Sequence, residues 1–217
     1  MNHVQKCECF VITGGPSVGK TTLVNALQKR GRQVLEESAA QIILEGREHP
    51  NKERSAFQRA VLRRQLELEQ SMFACGGIWY ADRGLLDGAV YHQHHDGYVP
   101  DSFYELDVSH YKAAFLLEPL SSFEKNGVRP DFEDLEYTEA ITPLFGQIYR
   151  SRGVSVYFVP SLLSVEERLV FIESTVAKLR ASNSVFNFGI AGAGLSLLPT
   201  PLAFPNGDFY ETLQHVN

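Results

Sequence analysis

The stretch Gly14-Gly15-Pro16-Ser17-Val18-Gly19-Lys20-Thr21 constrains this chain more than any other. It matches the pattern G-x-x-x-x-G-K-[ST] at every position, and each position has a physical reason. The glycines let backbone N–H groups turn inward and approach oxygen atoms closely. A helix running on through Thr22 places about half a positive charge at its N-terminus, facing the same point. Lys20 reaches out as a mobile point charge. The Thr21 hydroxyl is a ligand suited to Mg²⁺. The loop from Gly14 to Thr22 therefore implies a phosphate ligand, the polyphosphate of ATP or GTP.

The flanks agree with that reading. Cys7 to Thr13 is apolar and β-prone, a buried strand. Thr22 to Arg30 reads as a helix with Leu23, Ala26 and Leu27 on one face and Gly31 as its stop. Gln33–Glu36 reads as a second strand and Ser38–Leu44 as a helix. A longer helix follows, with Phe57, Val61, Leu68 and Met72 as its apolar stripe and Gly76-Gly77 as its end. Ile78–Ala81, Lys112–Leu117 and Val154–Val159 read as three further strands. Ile141 to Tyr149 marks a helix in which Pro143 fits best as an opening residue behind Thr142. Ser164 and Glu167 form a capping box for a last helix, with a stripe of Leu169, Ile172, Val176 and Leu179.

Strands alternating with helices predict an α/β fold, a mainly parallel five-stranded sheet covered on both faces. Ligands of such sheets bind at the carboxyl ends of the strands. Gly14, Glu37 and Asp82 each follow such an end, so three segments point at one site. Asp82 ends an apolar strand, where a carboxylate either acts on Mg²⁺ or caps the next helix. Arg83 beside it suits a phosphate or a carboxylate partner. A Ras-like switch is argued against: Glu124-Lys125-Asn126-Gly127 does not fit N-K-x-D, and Asp82-Arg83-Gly84-Leu85 does not fit D-x-x-G. GTP as the ligand stays open.

The segments FVITGGPSVGKTTL, VLEESAAQII, YADRGLLDG, AAFLLEP, NGVRPDFED and VPSLLSVEERLVFI together resemble a known family. It is the AAA-domain family of predicted ATPases that includes the nicotinamide riboside kinase domain of the NadR type. The resemblance covers about residues 8 to 178. It implies a P-loop kinase-like fold, a three-layer sandwich with strand order 2-3-1-4-5. It implies a base or substrate ligand at Glu37, an Asp82–Arg83 pair near Mg²⁺ and the phosphates, and a lid arginine at Arg129. The residues alone leave Glu37 open as a helix N-terminal carboxylate. They leave Arg129 open as a loop charge beside Asp131 or Glu133. Where family members often carry arginine this chain has Ala40, so the resemblance does not name the acceptor.

Composition narrows the partners. The net charge of −6 disfavours nucleic acid and anionic membrane surfaces. Cys7, Cys9 and Cys75 fit thiols of a reducing compartment, and the N-terminus carries no basic segment with a long apolar run, so a cytoplasmic location is expected. Residues 1–180 read as the P-loop domain. Residues 181–217 read as an apolar extension that packs on the domain or on a partner, with no charge until Asp208. The glycines and prolines between Val185 and Phe204, with Asn187 and Ser196, argue against a membrane span. The expected activity is Mg-ATP-dependent phosphotransfer to an unidentified small-molecule acceptor. The alternative is a nucleotide-dependent binding module, or slow NTPase, whose tail engages a second copy, a protein or a lipid. His92, His94, His95 and Asp96 fit a polar helix end or substrate-side loop better than a metal site. Tyr91, Tyr98 and Tyr104 fit either a pocket lining or packing. Asp131 to Glu136 reads as a solvated loop face.

Overall fold

A computed structural model describes residues 7–44, 54–121 and 134–189. β1 (Cys7–Thr13) runs through the middle of the molecule. Its residues from Cys9 onward are buried, as a strand covered on both faces requires. It is followed by α1 (Lys20–Lys29), β2 (Gln33–Leu35), α2 (Ser38–Leu44) and α3 (Arg54–Cys75). Then come β3 (Gly77–Asp82), α4 (Asp87–Asp96), a one-turn 3-10 helix (Asp101–Phe103), β4 (Tyr111–Leu117), α5 (Leu135–Ser151), β5 (Val156–Val159) and α6 (Val165–Gly189).

The five strands form one parallel sheet in the order β2-β3-β1-β4-β5. This is the expected strand order, in a parallel sheet flanked by helices. Alternation along β1 splits the core. Cys9 and Val11 join Met72, Val90, Ile141, Phe145 and Tyr149, brought by α3, α4 and α5. Phe10 and Ile12 point the other way and are fully buried. Because the chain leaves β1 toward β2 and later returns past β1 to β4, the switch in direction lies beside β1. That is where such sheets open a crevice for ligands.

Several local expectations need correction. α1 starts at Lys20, not Thr22, because Gly19 takes the N-cap place with φ 89°. Its buried face uses Val24 rather than Ala26. Pro143 lies inside α5 and does not open it. The helix begins earlier because Asp134 caps it, accepting a bond from Tyr137 N at 2.8 Å. The end of the acidic stretch is therefore a helix start rather than loop. Pro143 removes the bond to the Glu139 carbonyl, which sits on an exposed turn where water can serve it. Fully buried Ile141, Phe145 and Tyr149 anchor the helix on both sides of that defect.

The capping box is present: Ser164 N donates to Glu167 Oε2 at 2.8 Å, and Glu167 N to Ser164 Oγ at 3.3 Å. α6 does not stop where charge disappears at Arg180, but runs to Gly189. The chain divides into two units, Met1–Ala177 and Lys178–Asn217. Of the second, only the last part of α6 is described. The tail beyond it, Arg129, and Asp131 to Glu133 lie outside the described residues. Among the described residues no helix is long and apolar enough to cross a membrane.

Candidate active site

The phosphate loop is built from backbone shape and tight packing. Gly14 has φ 137°, and a Cβ there would meet the Leu117 carbonyl at 2.9 Å. Ser17 adopts φ 58°, a left-handed conformation rare for a side-chain-bearing residue. Two helices brace the loop from outside. Thr138 Oγ1, on α5, donates to the Pro16 carbonyl at 3.2 Å. Arg168, on α6, donates to the Val18 carbonyl at 3.2 Å. The same guanidinium donates to Ser161 O at 2.8 Å and Leu163 O at 3.0 Å. Lys20 is buried, with Nζ 2.6 Å from the Gly15 carbonyl. That bond fixes the position of the ammonium over the loop.

β3 delivers the next two side chains. Asp82 is 1% exposed, and its Oδ2 accepts from Thr21 Oγ1 at 2.7 Å. Its Oδ1 is buried with no hydrogen-bond partner among the described residues. Burial pushes its carboxyl up to about 6, nearby Glu37 adds to the rise, and Lys20, Thr21 and Arg83 oppose it. A buried carboxylate with an orphaned oxygen beside a hydroxyl matches the donor set of a hard divalent cation. Asp82 and Thr21 therefore fit Mg²⁺.

Arg83 has φ 76° and is almost fully buried. The left-handed backbone turns its side chain back over the sheet end. Its Nε donates to Glu37 Oε1 at 2.6 Å, and Nη1 lies 3.3 Å from Asp87 Oδ2. Its guanidinium also sits 5.6 Å from the centre of the Tyr91 ring. Arg83 is thus paired with carboxylates, and Glu37 and Arg83 form one unit. Glu37 follows β2 by two residues, far from Arg83 in sequence but brought beside it by the β2–β3 pairing.

Asp87, the first residue of α4, was not singled out by sequence. It is buried and accepts from Thr13 Oγ1 at 3.0 Å and from the Tyr149 hydroxyl at 2.6 Å. Burial pushes its carboxyl up, while Arg83, Tyr149 and Thr13 pull it down. The i,i+4 spacing from Arg83 was the available signal, but it looks the same as an exposed helix pair. Arg168 and Thr138 carried no signal that separates them from surface residues.

Of the weaker candidates, only Tyr91 joins the site. Tyr98 and Tyr104 are exposed. His92 Nδ1 lies 2.8 Å from Asp96 Oδ2, and His95 Nε2 lies 2.9 Å from the Tyr137 hydroxyl. The first contact lies within α4, and the second joins the end of α4 to the start of α5.

Known structures share this architecture. Deoxyadenosine kinase from M. mycoides with bound dATP superposes with a TM-score of 0.55 at 17% identity, over 78% of this chain and 99% of that one. Thymidylate kinase from Ehrlichia chaffeensis does so with a TM-score of 0.56 at 11% identity, over 79% and 99%. At such identities the likeness is one of fold. No curated protein matches the chain in sequence. Residues 9–168 match the family described as AAA domain, a span that takes in the phosphate loop, Glu37, Asp82, Arg83 and Arg168. The chain belongs to the AAA-domain family.

Proposed function

We propose that this protein is a phosphotransferase that moves the γ-phosphoryl group of a nucleoside triphosphate, ATP in the first instance, to a hydroxyl of a small molecule. The observation that carries the reading is the convergence of Lys20, Asp82 and the Glu37–Arg83 pair at the carboxyl ends of β1, β3 and β2. Phosphoryl transfer asks the protein for position and charge rather than covalent chemistry.

Each residue has a part. The loop amides and Lys20 hold the phosphates. Asp82 and Thr21 would hold Mg²⁺, which screens the phosphate charge when bound. Glu37 accepts a hydrogen bond from the acceptor hydroxyl and takes its proton, since a carboxylate can accept several bonds at once. Arg83, 2.6 Å from Glu37 Oε1, fixes its direction. Arg129 is proposed as the lid cation.

The nucleoside-like character of the acceptor draws support from the kinase folds of the neighbours. A site that crowds Glu37, Asp82 and Asp87 around Arg83 and Lys20 also suits an uncharged hydroxyl better than a phosphate monoester.

The test is mass spectrometry of the purified protein with Mg-ATP or Mg-GTP and a pool of nucleosides and small metabolites. Lys20→Ala is the control. A product heavier by one phosphoryl group, absent with the variant, is the expected outcome and names the acceptor. Bound nucleotide with no phosphorylated product across the pool would defeat the reading.

A further inference from the structure

α3 turns two polar residues inward. The apolar stripe expected at Phe57, Val61, Leu68 and Met72 is only partly the buried one: Val61 and Leu68 are half-buried. The innermost places between Phe57 and Met72 go to Gln65 and Glu69, at 3% and 2% exposure. Burying an amide and a carboxyl group costs free energy that a leucine at either place would not incur. Packing of α3 on the sheet does not require them.

Their bonds lead to the active site. Gln65 Oε1 accepts from the hydroxyl of Ser38, the residue after Glu37, at 2.6 Å. Gln65 Nε2 donates to Glu69 Oε1 at 2.8 Å and lies 3.5 Å from the Arg83 carbonyl. Glu69 Oε1 also accepts from the Tyr111 hydroxyl at 2.6 Å. The Tyr111 oxygen in turn accepts from Leu85 N at 2.8 Å. Glu69 Oε2 is 2.8 Å from His110 Nε2. The network thus touches the backbone on both sides of Gly84 and the residue adjoining Glu37. It also presses on the turn itself: a Cβ on Gly84 would meet the Tyr111 hydroxyl at 2.9 Å.

The turn needs such support. Arg83 holds a left-handed backbone, which is strained for a residue with a side chain and persists only where surroundings over-determine it. Its guanidinium must also meet a carboxylate carried by a different strand. We propose that Gln65 and Glu69 are positioning residues, which lock the Arg83 turn and the Ser38 end of α2 together and so set the geometry of the Glu37–Arg83 pair. Gln65 is the bridge, because its two amide atoms bind the two halves. The catalytic consequence rests on the phosphotransfer reading, whereas the structural one does not.

The experiment uses the full chain with Gln65→Leu and Glu69→Gln. Hydrogen exchange by mass spectrometry follows peptides at Ser38, at Arg83–Asp87 and at the phosphate loop. Gln65→Leu is expected to raise exchange at the first two about tenfold and leave the loop unchanged. It is expected to lower kcat about tenfold with ATP Kd unchanged, the mark of misplacement rather than lost binding. Glu69→Gln keeps an oxygen to accept from Tyr111 and Gln65, so it should stay within about twofold of the parent. Unchanged exchange at either segment in Gln65→Leu, or a uniform rise along the whole chain, would overturn the proposal. If the parent protein phosphorylates nothing, the kinase reading fails alone, and the exchange pattern still decides the positioning role.

Discussion

At the residue scale, Asp82 carries the clearest conflict between stability and function. Its folded carboxyl keeps a proton up to about 6, against an ordinary 3.8. Between those values the folded chain binds a proton that the unfolded chain has released. The contribution of Asp82 to stability is therefore most favourable at low pH and is lost as pH rises through 6. In metal-free buffer at pH 7.5, Asp82→Asn should unfold at higher temperature than the parent, a gain of about 1–3 kcal/mol that shrinks toward pH 4. Added Mg-ATP should raise the parent's melting temperature and leave the variant's nearly unmoved. A variant less stable than the parent at neutral pH would show that the ionised carboxylate is satisfied within the fold. Glu37→Gln should lower kcat about a hundredfold with ATP affinity intact, measured by single-turnover phosphotransfer. An unaltered rate would remove Glu37 from the role of base.

At the scale of elements, the phosphate loop is held as much by α5 and α6 as by its own sequence. Arg168 spends its guanidinium on three carbonyls, one in the loop and two in the connection between β5 and α6. Burial pulls its pKa down, though Glu118 supports the charge. Arg168→Met should cost about 2 kcal/mol of stability and weaken ATP binding about tenfold, read by thermal melts and nucleotide titration. Melting loss without a change in nucleotide affinity would mean that α6 braces the domain but not the loop. Helix positions with apolar period were readable in the chain. Gln65 and Glu69 were not, because a polar residue on a buried face breaks the pattern by which the face is recognised. Pro143 misled for a related reason. Local rules forbid it inside a helix, and only the buried residues on either side of it overcome the penalty.

For the whole molecule, every described side chain assigned to the site lies between Thr13 and Arg168. A chain ending at Gly189 should therefore retain phosphotransfer at the parental rate, checked with the acceptor that the mass-spectrometric screen identifies. Loss of activity in a folded truncated protein would assign residues 190–217 a part in catalysis. The sequence by itself determined the phosphate loop, the alternation of strands and helices and the placing of Asp82 at a strand end. All three rest on contacts or dihedral preferences within a few residues, which a linear pattern records. The strand order could be had from resemblance alone. What only the tertiary structure decided was the company each charge keeps: Arg83 with Glu37 and Asp87, Asp82 with Thr21, Arg168 with Val18. Apart from Arg83 and Asp87, those partners are far apart along the chain. Parallel pairing of β2, β3 and β1 brings Glu37, Arg83, Asp82 and Thr21 to one end of the sheet, α6 brings Arg168, and burial makes an unpaired charge too costly to leave alone.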